Sequence, residues 1–170
     1  CGAFVSNEAY IKNTDMPLSV YVLRVIVRNT IVLGHNILVP LVVYLIFAEY
    51  SLRILFIIPA AVLTICMLTS FSFILAYFSA RYRDIIPLVN NMLILLMFLT
   101  PVFWKLDGGL RESYLIYNPF YHCLKLFRVA FLPGNFSINS IVYILGITVI
   151  ATGFACYLNS KLRNKVAYWL

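Results

Sequence analysis

Residues 54–78 read ILFIIPAAVLTICMLTSFSFILAYF, an apolar run with no charged residue in it. A helix rises about 1.5 Å per residue, so about 20 apolar residues cross a hydrocarbon core about 30 Å thick. This run is long enough to span. Working outward, three more stretches qualify. Residues 19–47 precede it across a short link, so the two are antiparallel neighbours. Arg24 and Arg28 hold the first turns of 19–47 at the interface, and Pro40 predicts a kink of the kind that neighbouring helices tolerate. Residues 85–104 follow, broken near their end by Pro101, and 138–158 form the last span. The fold class is therefore an all-α membrane protein with four transmembrane helices, read as one domain over 1–170.

Composition agrees. The chain is 63% hydrophobic and 11% charged, where a soluble domain carries about 25% charged residues. A soluble chain this apolar could not cover its surface. The net charge of +7 is scattered, with no basic run or stripe of the kind that binds nucleic acid. The bases instead predict orientation. One side carries Lys12, Arg24, Arg28, Arg81, Arg83, Lys161, Arg163 and Lys165. The other carries Arg53, Lys105, Arg111, Lys125 and Arg128. The richer side, which holds both chain ends, is expected to be cytoplasmic. The chain begins Cys1-Gly2 without an initiator Met, so upstream structure is expected to be missing.

The connections differ in character. Residues 1–18 are polar around Ser6 to Asp15 and are expected to form a short interfacial helix before Pro17. Residues 105–137 open on a turn at Asp107-Gly108-Gly109, continue through Tyr114-Leu115-Ile116-Tyr117 and break at Asn118-Pro119. The run from Phe120 to Leu132 is too short to span. Tyr121, Lys125, Arg128 and Leu132 recur on one face of it, which predicts an interfacial or re-entrant helix. Residues 159–170 form a basic tail.

No catalytic constellation occurs. The six acids Glu8, Asp15, Glu49, Asp84, Asp107 and Glu112 all avoid mid-span positions, so no ion or proton relay is evident. No Gly-rich phosphate loop is present, so energy must come from a partner or a gradient. Cys1, Cys66, Cys123 and Cys156 lack metal-ligand or redox spacing. His35 and Asn36, like Asn90 and Asn91, are polar groups within spans and suit either an interhelical hydrogen bond or a functional site. Ala151 and Ala155 have small-xxx-small spacing and predict close packing of the last span. Phe103, Trp104, Tyr114, Tyr117, Phe120 and Tyr121 cluster at the outer face, as an interfacial belt or as a surface that stacks on sugar rings. Arg81-Tyr82-Arg83-Asp84 forms a tight turn between spans, suited to anchoring or to docking.

Several of these stretches, in order, resemble the permease subunits of ATP-binding-cassette polysaccharide exporters for O-antigen, teichoic acid and capsule. They are Ser6-Asn7-Glu8-Ala9-Tyr10-Ile11-Lys12 before Pro17, Ala80-Arg81-Tyr82-Arg83-Asp84-Ile85, Thr100-Pro101-Val102-Phe103-Trp104, Asn118-Pro119-Phe120-Tyr121-His122 with Phe127-Arg128, and the basic ending from Lys161 to Leu170. The resemblance covers essentially the whole chain. It implies spans three to six of a six-span permease, with 105–137 as an outer re-entrant segment. It also implies a second permease copy, two ATPase subunits holding ATP and magnesium, and a lipid-linked glycan as cargo. The setting would be the bacterial inner membrane, with no cofactor in this chain. Asn7, Glu8, Tyr10, Ile11 and Lys12 would couple to the ATPase, supported by Arg81, Arg83 and Asp84. Phe98, Phe103, Trp104, Tyr117, Phe120, Tyr121 and Arg128 would lie along the translocation path or outer segment. The family often carries basic residues where this chain has Asn13-Thr14-Asp15. The competing readings are a same-fold exporter of drugs or small lipids, an integral membrane transferase, and a non-transporting assembly subunit.

Overall fold

A computed structural model describes residues 2–13, 16–47, 52–101, 115–131, 137–163 and 165–169. All regular structure among them is helical: α1 (Glu8–Asn13), α2 (Leu18–Phe47), α3 (Ile57–Arg81), α4 (Ile85–Leu99), α5 (Pro119–Phe131), α6 (Ile138–Leu162) and α7 (Val166–Trp169). Short 3-10 turns at Val5–Asn7 and Leu52–Phe56 lead into α1 and α3. The helices that contain the first, second and fourth expected spans are long and apolar enough to cross a membrane, and α4 is a shorter apolar helix.

Sequence explains where the helices start and stop. Both α3 and α4 open on Ile-Ile-Pro, at Pro59 and Pro87. First-turn amides have no intrahelical acceptor, so a proline there forfeits nothing and presets the backbone angle. Pro119 starts α5 in the same way. Pro40 lies inside α2, which continues through it. The third span was expected to reach residue 104, but α4 stops at Leu99. Thr100 is extended, with φ −83° and ψ 133°, because the ring of Pro101 disfavours the helical region for the residue before it. At 15 residues, α4 is about 22 Å long. In the other direction, α3 and α6 run past the expected ends at 78 and 158 to Arg81 and Leu162. Hydropathy marks the lipid-facing part of a helix, and hydrogen bonding carries both helices on into polar residues.

The central seam is α3 against α6, the most extensive helix contact. Ala60, Thr64, Met67 and Ser70 of α3 are buried, as are Ile144, Ala151 and Ala155 of α6. The Ser70 and Thr152 hydroxyls meet across it at 2.7 Å, and the Tyr77 hydroxyl donates to Asn159 Oδ1 at 2.5 Å. The predicted small-residue packing is therefore intramolecular, and the two alanines make it. Gly146 and Gly153, on the same helix, would meet nothing within 4 Å if given a Cβ.

Two apolar cores sit at opposite ends of this seam. The first joins Ala3 and Phe4 to Tyr21 and Val22 of α2, Ala76, Tyr77 and Ala80 of α3, Leu158 of α6 and Val166 of α7. The second joins Ala60 and Met67 to Cys123 and Leu126 of α5 and Ile144 of α6. The molecule thus has an α1 end and an α5 end. Helix α2 buries only Tyr21, Val22 and Tyr44, and α4 buries none of its residues.

Candidate functional site

At the α1 end, a short segment folds back onto the helix termini. Phe4 is fully buried and meets the Tyr77 ring edge-on at 5.3 Å. The Ser6 hydroxyl donates to the Gly2 carbonyl at 2.8 Å, and the Asn7 amide donates to the Ala3 carbonyl at 2.8 Å. These bonds fix the turn that launches α1. Glu8 then reaches the turn between α3 and α4, where Arg83 Nη2 donates to its Oε2 at 3.2 Å. Two stretches some 75 residues apart are joined on one face.

The expected coupling residues therefore have distinct positions. Asn7 bonds back to the Ala3 carbonyl and holds the turn before α1. Glu8 and Arg83 pair. Ile11 packs against the first core. Tyr10 is 65% exposed. The Lys12 side chain lies outside the described residues. The Arg81 guanidinium sits 5.3 Å from the Tyr82 ring centre and 5.5 Å from that of Trp169. Asp84 is exposed at the start of α4, with no side-chain bond to the helix amides. Phe4 and Trp169 were not singled out from sequence. The only signal for Phe4 was an apolar Ala-Phe-Val stretch ahead of the polar Ser6-Asn7.

At the α5 end, a 13-residue helix, about 20 Å long, is clamped across the ends of α3, α4 and α6. Its buried face is His122, Cys123, Leu126, Val129 and Ala130. These positions repeat at helical spacing, as an amphipathic segment requires. The Asn118 amide donates to the Thr100 hydroxyl at 3.1 Å, while Asn118 Oδ1 accepts from the Phe120 amide at 3.0 Å. Arg128 donates to the Pro101 carbonyl. The Thr-Pro end of α4 and the Asn-Pro start of α5, two separate sequence motifs, are thus one joint. Lys125 Nζ lies 6.0 Å over the Tyr121 ring.

His122 is a residue whose role sequence reasoning missed. Its Nε2 bonds to the Ile116 carbonyl at 2.8 Å, and its Nδ1 to the Ser140 hydroxyl at 3.0 Å. A carbonyl only accepts, so Nε2 carries a proton, and Ser140 in turn donates to the Ser137 hydroxyl at 3.1 Å. The ring also lies 4.2 Å from that of Tyr143, whose hydroxyl donates to the Tyr117 carbonyl at 2.7 Å. A lone histidine in an apolar helix gives no hint of this in sequence.

Beside α5, Phe120, Leu124 and Phe127 face Leu93 and Met97 of α4, and Thr100 just past its end, across a cavity of about 340 Å³ with almost wholly apolar walls. Tyr117 is 79% exposed and Phe98 63%. Phe103 and Trp104, also expected here, lie outside the described residues. His35 and Asn36 are exposed on α2. Asn36 joins Asn29, Thr30, Thr69 and Ser72 along a groove between α2 and α3. Among the described residues, no three His, Cys, Asp or Glu side chains gather as a metal site.

Residues 7–132 match the family described as ABC-2 type transporter. No curated protein and no solved structure matches the chain. The match covers most of the chain, including α1, the α3–α4 turn and α5. This chain belongs to the ABC-2 type transporter family and is a membrane subunit of an ABC exporter.

Proposed function

We propose that this chain exports a lipid-linked polysaccharide across the bacterial inner membrane, as one of two permease copies driven by two ATPase subunits. The observation that carries the reading is the outer segment. A small-lipid exporter needs no aromatic helix clamped over its exit. Here α5 is held by Asn118, His122 and Arg128, Phe120 faces α4, and Tyr117, just ahead of the helix, is exposed. Aromatic faces stack on the apolar faces of sugar rings and impose little hydrogen-bond register, which suits a polymer that must slide.

The chain acts as a single permease domain without catalytic groups, and ATP and magnesium are held by the partner. The α1 end faces the cytoplasm and docks in a groove of the ATPase. Nucleotide-driven change in that groove favours one permease state over another by differential affinity. Glu8, Tyr10, Ile11 and Lys12, with Arg81, Arg83 and Asp84, form the contact, and Asn7 shapes it.

The test is ATPase stimulation of the complete transporter in proteoliposomes. Lipid-linked glycan should stimulate hydrolysis, and Tyr117→Ala with Phe120→Ala should reduce that stimulation severalfold at unchanged basal rate. Stimulation by hydrophobic drugs or short lipids, with none by glycan, would sink the reading in favour of a same-fold drug or lipid exporter.

A further inference from the structure

A cavity of about 550 Å³ lies between α1 and the first turns of α2. Its apolar walls include Met16, Val20 and Val27, and its polar members are Tyr10, Tyr21 and Arg24. Val20, Arg24 and Val27 follow at i, i+4 and i+7, so one face of α2 forms the floor. Arg24 lies six residues into α2, about 9 Å along it, at the depth where a spanning helix leaves the headgroups.

Tyr21 is only 6% exposed, and its hydroxyl is buried without a hydrogen-bond partner among the described residues. Burying a hydroxyl without a partner is costly, because it gives up its bonds to water. Native proteins keep such a group where something outside the chain supplies the partner. Arg24 is exposed and makes no ion pair or hydrogen bond among the described residues. The acid of α1, Glu8, is engaged by Arg83. Among the described residues the cavity therefore has an unopposed cation, two phenols and apolar walls that lead toward the membrane interior.

We propose that this cavity binds an anionic phospholipid. Its phosphate sits on Arg24, with the tyrosines beside it, and an acyl chain runs along Val20 and Val27. A guanidinium grips phosphate through paired N–H donors. A free phosphate would leave the apolar walls wet, and a zwitterionic headgroup would bring its own cation against Arg24. The inference does not depend on the cargo, because the site lies at the opposite end from the outer aromatics.

The test uses the complete transporter in nanodiscs of phosphatidylcholine with phosphatidylglycerol, washed with detergent, with retained lipid counted by native mass spectrometry. Retained phosphatidylglycerol should fall at least severalfold in Arg24→Gln and in Tyr21→Phe, which removes a single oxygen and leaves packing intact. Arg28→Gln removes the same charge one turn on, away from the cavity, and should retain the lipid. Equal losses in Arg24→Gln and Arg28→Gln would reduce the effect to general surface attraction and overturn the site. So would full retention in Tyr21→Phe, or displacement of the lipid by millimolar inorganic phosphate.

Discussion

His122 shows what one side chain decides here. Its two ring nitrogens tie Ile116, just ahead of α5, to α6 at Ser140, and its ring lies tilted against that of Tyr143. Replacing it by Phe keeps the ring and removes both bonds. The buried Ser140 hydroxyl would then lose one partner, at up to about 1–3 kcal/mol, whereas the carbonyl of the exposed Ile116 can turn to water. Ser140 keeps the bond it already donates to the Ser137 hydroxyl at 3.1 Å, which limits that loss. We therefore expect His122→Phe to lower the thermal midpoint of the purified transporter by several degrees, read by loss of the monodisperse peak after heating. An unchanged midpoint would show that the two bonds do not hold the segment. Sequence made this residue visible only as a lone histidine after Asn118-Pro119. Its partners come from another helix, and no local pattern encodes them.

At the level of the element, α6 separates two kinds of small residue that look alike in sequence. Ala151 and Ala155 are buried against α3, whereas Gly153 faces open space. Enlarging a packed alanine forces apart a seam held by Ser70–Thr152 and Tyr77–Asn159, and overpacking costs about 1–3 kcal/mol. A glycine in open helix surface instead costs up to about 1 kcal/mol relative to alanine. Ala155→Leu should therefore destabilise the protein and Gly153→Ala should stabilise it slightly, measured in the same heating assay. A destabilised Gly153→Ala variant would mean that this face is covered by another protein surface. The spans themselves were legible from apolar length alone. Their ends were less so: Pro101 stopped α4 five residues before the expected 104, while α3 and α6 ran on into polar sequence. Apolar length reports contact with lipid, and helix ends answer to backbone geometry.

Across the whole molecule, the two cores are built from segments distant in sequence, and the α3–α6 seam connects them. The pair Glu8–Arg83 belongs to this scale, since it joins α1 to the turn that launches α4. It is partly exposed, so its own stability contribution is small, about 0.2–1 kcal/mol, and high salt should weaken it further. Its effect should fall on coupling. Arg83→Glu should uncouple ATP hydrolysis from export severalfold, and the added change Glu8→Arg should restore most of it, read as surface glycan per cell at matched expression. Normal export in Arg83→Glu alone would remove this pair from the coupling face. The sequence by itself determined the membrane class, the number of apolar helices, the short helix before Pro17 and the amphipathic helix after Asn118-Pro119. Each follows from a local quantity: charge scarcity, run length, helical spacing or a proline. Only the tertiary structure decided that Glu8 meets Arg83, that Thr100 meets Asn118 and that the Tyr21 hydroxyl is buried without a partner among the described residues. Those facts depend on which helices lie side by side, and contacts between distant segments leave no periodicity in a single chain.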